Sequence, residues 1–205
     1  PAKYFVVPYR AEDIKKYILA AEEYKIPYYV IGNGSNLLVS DKGYDGMIIM
    51  LGRDLGNITV NGDRITAEAG TSLARLFNTA RRHSLSGLEF AAGIPGTLGG
   101  ACYMNAGAYG GEMKDVLTKV VTIDRQGNTH EYKQGEMELS YRNSIFIRKQ
   151  EIILSAEMKL CKGDVEKMTH KVNKKGGKRS TASLVHDMNN NCRRLRSRGR
   201  ESKCA

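Results

Sequence analysis

Gly93-Ile94-Pro95-Gly96-Thr97-Leu98-Gly99-Gly100-Ala101-Cys102-Tyr103-Met104-Asn105-Ala106-Gly107-Ala108-Tyr109-Gly110-Gly111-Glu112 is the stretch on which the reading of this chain turns. Seven residues from Gly93 to Gly111 are glycine, interleaved with Pro95, Asn105 and Tyr109, with no serine run and no repeated dipeptide. That composition is not a linker. Glycine loses more conformational freedom on ordering than any other residue, so a segment this rich in it needs positive φ angles or close approach of bare backbone to something. Unobstructed backbone N–H groups are what cradle phosphates and flat cofactors. A tight packing corner between elements is the plain alternative, and it weakens because a second loop of the same kind lies upstream.

That upstream loop is Gly32-Asn33-Gly34-Ser35-Asn36-Leu37-Leu38, set between the β-type run Tyr28–Ile31 and apolar Leu37–Val39. It offers several backbone N–H groups plus the Ser35 and Asn36 side chains, the donors a pyrophosphate needs. A Rossmann fingerprint would require a third glycine where Leu37 stands and a helix immediately after; a Walker A loop would require Gly-Lys-Ser/Thr. Neither is present. Taken alone, this loop is equally well read as a turn.

Outward from the two loops, the chain alternates short strands and helices. Tyr4–Val7 reads as a strand and Ala11–Tyr24 as a helix, with Ile14, Ile18, Ala21 and Tyr24 on one face and Glu12 and Asp13 in its first turn. Met47–Met50 reads as a buried strand, placing the first loop at a sheet edge. A second unit begins near Asp54, with a hairpin of Ile58–Val60 and Arg64–Glu68 turned at Asn61-Gly62-Asp63. Thr71 or Ser72 caps a helix to His83 with Leu73, Leu76, Phe77 and Ala80 inward. Val116–Asp124, Asn128–Tyr132 and Glu151–Leu160 supply further strands. The expected fold class is α+β in two lobes, residues 1–53 and 54–162, and not a doubly wound sheet.

The formal net charge of +10 is unevenly placed: residues 171–205 hold 11 Lys/Arg against 2 Asp/Glu, while residues 1–170 hold 21 against 20. The basic character belongs to the tail and is no global nucleic-acid footprint. No aromatic residue interleaves the tail arginines, so a base-stacking platform is not expected, only nonspecific, salt-sensitive binding. The segment 163–205 lacks apolar periodicity and reads as disordered. Cys102, Cys161, Cys192 and Cys204 show no CxxC or metal-type spacing; free thiols suit a reducing cytoplasm, and no metal is expected. His83, His130, His170 and His186 are scattered and read as surface residues, while Glu89 and Glu112 read as cap or turn residues. No stretch has the length of a membrane span and no signal peptide opens the chain. Starting on Pro1 without Met, the sequence reads as beginning inside a longer gene product.

Four stretches in order carry a more specific signal: Tyr28–Val39, Gly93-Ile94-Pro95-Gly96-Thr97-Leu98-Gly99-Gly100, Met104-Asn105-Ala106-Gly107-Ala108-Tyr109-Gly110, and Ser140-Tyr141-Arg142-Asn143-Ser144-Ile145-Phe146. Together they closely resemble the UDP-N-acetylenolpyruvoylglucosamine reductases (the MurB family, its shorter second type), from Pro1 to about Lys162. The resemblance implies a two-lobed FAD-binding domain of the vanillyl-alcohol-oxidase-like (PCMH) class. It also implies an oxidoreductase that uses NADPH to convert UDP-N-acetylglucosamine enolpyruvate to UDP-N-acetylmuramate. That step serves peptidoglycan synthesis, and through it cell wall biogenesis, shape and division.

Carried onto this chain, the resemblance places Gly32, Asn33, Gly34, Ser35, Asn36 and Leu37 around the FAD pyrophosphate. Gly93, Gly96, Thr97, Gly99 and Gly100 approach pyrophosphate and flavin from the other lobe. Asn105, Ala106, Gly107 and Tyr109 continue that wall, and Ile153 packs near the cofactor. Arg142 matches the family's catalytic arginine and Tyr141 lines the same substrate pocket. A permanent guanidinium charge suits a carboxylate-bearing carbon where enolate charge develops.

The resemblance ends before the family's substrate-binding domain. Ser180-Thr181-Ala182-Ser183-Leu184 lacks the Phe and basic residue of the family's serine proton-donor motif, and no candidate for its late glutamate follows Glu201. Gly176–Ala205 reads as a frameshifted or foreign tail. Three functions follow as expectations: the flavin reductase, impaired in this chain; a non-catalytic FAD-binding fragment; and nucleic-acid binding through the tail. A cytoplasmic monomer without membrane association is expected.

Overall fold

A computed structural model describes residues 1–166 and Met168. The tail beyond them, with His170, His186, Cys192, Cys204 and the predicted basic segment, lies outside the described residues. In chain order the elements are β1 (Ala2–Val6), α1 (Ala11–Glu23), β2 (Tyr28–Ile31), β3 (Tyr44–Met50), β4 (Ile58–Asn61), β5 (Arg64–Glu68), α2 (Leu73–Arg82) and β6 (Leu85–Ser86). There follow α3 (Leu98–Tyr103), β7 (Gly107–Ala108), β8 (Gly111–Glu112), β9 (Leu117–Ile123), β10 (Thr129–Lys133), α4 (Ile145–Lys149), β11 (Ile152–Lys159) and β12 (Cys161–Lys162).

Two sheets organise them. The first is parallel, ordered β1-β3-β2: α1 carries the chain from one outer strand, β1, to the other, β2, and the loop over residues 32–43 returns it to the central β3. Ile14, Ile18 and Ala21, spaced four and three apart, are buried on α1. Met47 and Ile49 alternate into the same core from β3. The helix ends in a Schellman arrangement: Lys25 adopts φ +53, the Ile26 N–H donates to the Ala21 carbonyl and the Lys25 N–H to that of Glu22. Pro27 then forbids a further turn.

The second sheet is antiparallel, ordered β10-β9-β11-β5-β4. The β4–β5 hairpin closes through Gly62-Asp63, with Gly62 at φ +60 as the first residue of a two-residue loop. Ser72 caps α2, its hydroxyl accepting from the Arg75 N–H at 3.3 Å. Leu73, Leu76, Phe77 and Ala80 are buried as the periodicity predicts. α3 packs across β11 and β5. Two antiparallel ribbons, β12–β6 and β7–β8, sit outside the sheets.

One feature of the core has no counterpart in the sequence reading. Glu151 is buried, and it accepts hydrogen bonds from the Thr122 hydroxyl (2.5 Å) and the Tyr132 hydroxyl (2.8 Å). Lys149 Nζ donates to Tyr132 Oη at 2.8 Å and stands 4.0 Å from Glu151. The carboxylate thereby ties the start of β11 to the β9–β10 pair. Glu151→Leu strands two buried hydroxyl donors, and we expect a loss of about 2 kcal/mol in urea unfolding. Glu151→Gln, which keeps an acceptor, should cost markedly less.

Candidate functional site

Three loops from different parts of the chain meet at one place. The first follows β2 at the carboxyl end of the parallel sheet. The second is the glycine segment, and the third is the turn around Tyr141-Arg142. A Cβ on Gly32 would lie 2.2 Å from Thr97 Oγ1, so the first two loops touch through bare backbone. A second tie crosses between them, Asn36 Nδ2 donating to Met104 Sδ at 3.2 Å. The third loop is held against the second by Asn105 Nδ2, which donates to the Ser140 carbonyl at 3.1 Å. Ser144 Oγ likewise donates to the Tyr103 carbonyl at 2.5 Å.

In the first loop Gly34 takes φ +68 and nothing lies within 4 Å of where its Cβ would be. Asn33 and Ser35 are exposed, while Gly32, Asn36 and Leu37 are half-buried. The loop therefore presents a side-chain-free arc with flanking donors. It does not run between two buried strands, as the apolar run Leu37–Val39 predicts. Leu38 and Val39 are 66% and 64% exposed and belong to no strand. The strand that follows is β3, starting only at Tyr44.

Within the glycine segment the glycines divide by role. Gly93 has open space around its missing side chain, and Gly96 and Gly100 have only distant neighbours at 3.8 and 3.7 Å. Gly99 sits in α3, where a Cβ would fall 2.8 Å from Ala69 Cβ, and its N–H donates to the Ala69 carbonyl at 2.9 Å. Gly107 and Gly111 face their hairpin partner and Phe90. Only Gly110 has positive φ (+86), and it shares a two-residue hairpin loop with Tyr109 at φ +57. Positive φ at both positions is what a type I′ turn demands. The sequence reading expects positive φ angles or close backbone approach here and gives no sign of α3 or of this hairpin.

Thr97 is buried beside Thr71, since Ser72 bridges to Thr97 and the Leu98 N–H donates to the Thr71 carbonyl. The Thr71 hydroxyl is the one buried side-chain polar atom among the described residues without a protein partner. Such atoms call for an explanation, and a bound water or ion that accepts or donates there supplies one. Gly34, Gly93 and Gly110 offer open backbone surface on both loops. A flat, phosphate-bearing cofactor fits this surface better than a compact ion does. Among the described residues, no group of three His, Cys, Asp or Glu could hold a metal.

The third loop is the smallest. Ser140 and Asn143 exchange backbone hydrogen bonds, both 3.1 Å, leaving Tyr141-Arg142 as a two-residue turn. Arg142 takes φ +52, a conformation that disfavours a residue with a Cβ. Tyr141 is 77% exposed and Arg142 is half-buried.

The remaining predicted residues sort by burial. Ala106 and Asn105 are buried within the segment, Ile153 is buried on β11, and Tyr109 stands exposed. Glu89 serves a turn, accepting from Ser86 Oγ and the Gly87 N–H. Glu112 accepts from Asn105 Nδ2 and pairs with Lys114. His130 lies 2.8 Å from Asp124, away from the three loops in sequence, and that contact pulls the Asp124 carboxyl down to about 2. Cys102 is buried, which pushes its thiol far above the ordinary range. The unpartnered buried hydroxyl of Thr71, which loses the helix cap to Ser72, and the Asn105 clamp escape the sequence reading.

The sequence profile described as "FAD binding domain" matches residues 2–133. The UDP-N-acetylenolpyruvoylglucosamine reductase of Syntrophomonas wolfei is 50% identical over 166 residues, 81% of this chain and 56% of that protein. The crystal structure of UDP-N-acetylenolpyruvylglucosamine reductase (MurB) from Thermus caldophilus superposes with a TM-score of 0.71 at 34% identity. It covers 83% of this chain and 60% of that one. At 15% identity, Phl p 4.0202, a glucose dehydrogenase, shares the fold with a TM-score of 0.61, covering 80% of this chain and 36% of that one. The chain spans about half the length of the curated relatives it matches.

The approach of Gly32 to Thr97 is directly testable. Gly32→Ala forces the two loops apart, an overpacking that costs about 1–3 kcal/mol. In a Thr97→Ala background the same change should cost much less, because the clashing Oγ1 is gone. Denaturant unfolding of the four proteins measures the coupling, and strict additivity would show that the loops do not touch.

Proposed function

The chain belongs to the FAD binding domain family, and from that premise we propose that it is the cofactor-binding part of an NADPH-dependent reductase of UDP-N-acetylglucosamine enolpyruvate. The observation that carries the proposal is the meeting of three loops, two of bare backbone and one bearing Arg142, in a chain 40–50% identical to proteins of that name. The two proposed lobes are residues 1–53 and 54–162. Gly32–Leu37 and Gly93–Gly100 face each other across the cofactor pyrophosphate, with Gly34, Gly93 and Gly96 supplying close backbone approach. Asn105–Tyr109 forms the adjoining wall. Ile153, buried on β11, acts as packing behind it.

FAD, recharged by NADPH, supplies hydride chemistry when bound. The chain's own contribution is electrostatic. Addition of hydride to the enolpyruvyl double bond concentrates negative charge next to the substrate carboxylate. Arg142 stabilises charge that exists only as the reaction proceeds, which is where binding energy accelerates rather than merely retains substrate. An arginine keeps that charge at every physiological pH and offers a planar fork for the carboxylate. Tyr141 flanks it at the exposed face of the turn. A cytoplasmic, monomeric protein acting in peptidoglycan synthesis is the corresponding setting, with nucleic acid and membrane outside the proposed partners.

A second reading, an FAD-binding module without turnover, is favoured by coverage: roughly the other half of the relatives' length lies outside the match. One experiment separates the two. The purified full chain is titrated with FAD while its visible absorbance is followed, then mixed with NADPH with and without the enolpyruvyl sugar nucleotide. Flavin binding followed by reduction is expected under both readings. Reoxidation by the sugar nucleotide marks the reductase, and its absence marks the module. A protein that stays colourless at saturating FAD would sink both.

A further inference from the structure

We infer that Asn105 is a positioning residue for Arg142: its buried amide locks the Ser140–Asn143 turn onto the glycine segment. The inference rests on the preceding reading only for what Arg142 does, since the lock is a matter of geometry. Asn105 is 2% exposed and adopts φ +44, a backbone state asparagine tolerates better than most residues. Its Nδ2 donates to Glu112 Oε2 at 2.6 Å and to the Ser140 carbonyl at 3.1 Å. Its Oδ1 accepts from the Lys114 N–H at 2.9 Å. Both side-chain donors are therefore committed to protein acceptors.

Only one orientation of the amide works. Flipped, Oδ1 would face a carboxylate and a carbonyl, and Nδ2 would face an N–H. Glu112 is itself fixed, by an ion pair with Lys114 and by donation of its N–H to Asp115 Oδ2 at 2.9 Å. The fixed amide thus holds the upstream limb of the turn. Ser144 holds the downstream limb through the Tyr103 carbonyl. Arg142 lies between them with φ +52, and a non-glycine residue keeps such a conformation only when its surroundings over-determine it. The same segment that offers bare backbone to a cofactor therefore sets where the guanidinium begins its reach. Asn105 contributes to the wall of the cleft by what it holds, and its amide has no donor left for a ligand.

The test separates positioning from mere stability. Asn105→Asp preserves size and backbone tolerance but sets an acceptor against Glu112 and the Ser140 carbonyl. Adding Glu112→Gln restores a donor–acceptor pair between positions 105 and 112, yet leaves the Ser140 carbonyl facing an acceptor and bonded only to the Asn143 N–H within its own turn. Amide hydrogen exchange across Tyr141–Asn143, the thermal midpoint and FAD affinity are measured on the full chain for parent, single and double variants. We expect the double variant to regain most of the midpoint lost by the single one, while exchange in the turn stays about tenfold or more above the parent. Any fall in its FAD affinity should accompany the loss of turn protection, because the amide acts on the cleft through the turn it holds. Recovery of turn protection together with the midpoint would overturn the inference, as it would reduce Asn105 to a structural role. A large loss of FAD affinity with the turn still protected would also overturn it, making Asn105 a cofactor contact. A parent chain that binds no FAD would sink the preceding reading alone, and exchange in the turn would still decide the lock.

Discussion

The approach of bare backbone at the junction of the two sheets is the constraint on which the rest of this molecule depends. Gly32 leaves the carboxyl end of the parallel sheet directly against Thr97, with no room for a Cβ. Two residues further on, Gly99 lets α3 sit against Ala69 at the end of β5, again with no room for a Cβ. Either contact widened by one methyl group would push apart the elements that these glycines bring together. Interiors packed to crystal-like density transmit such a displacement instead of absorbing it. Glycine is thus needed here chiefly for distance, and at few positions for dihedral freedom.

This explains which parts of the fold were legible in the sequence. Elements with a buried face and ordinary propensity could be read from periodicity, as Ile14, Ile18 and Ala21 show for α1, and Leu73, Leu76, Phe77 and Ala80 for α2. α3 could not. Six residues with two glycines have poor intrinsic helicity, and this helix exists because Thr97, Ala69 and Thr71 receive its first turn. The Tyr109-Gly110 turn was hidden for the same kind of reason, since tyrosine is not a residue that signals φ > 0. Leu37–Val39 misled in the other direction: an apolar run with β propensity lies exposed on the surface, where no neighbouring strand takes it up.

The candidate site was legible as loops and illegible as connections. The order of the glycine loops and of Ser140-Tyr141-Arg142-Asn143 along the chain pointed to three regions, and the structure brings those three together. What joins them is polar and long-range: Asn36 to Met104, Asn105 to Ser140, Tyr103 to Ser144. No local pattern announces a hydrogen bond between residues 35 or 68 positions apart. Buried side-chain amides are costly unless fully paired. Such residues therefore persist where they fix geometry, and Asn105 pairs both donors and its carbonyl within the protein.

Arg142 shows how these constraints combine. Its left-handed φ costs about 1–2 kcal/mol against a relaxed backbone, and a flexible two-residue turn would shed that cost by opening. The turn stays closed because both limbs are bonded to the segment spanning Tyr103–Asn105, which α3 and the β7–β8 ribbon hold in turn. A long guanidinium stem started from a fixed Cα searches far less space than one started from a mobile loop, and less entropy is then lost when it meets an anion. Strain at the backbone and order at the charged tip are two ends of one arrangement. The energy that holds Arg142 in place comes from hydrogen bonds made by other side chains, those of Asn105 and Ser144.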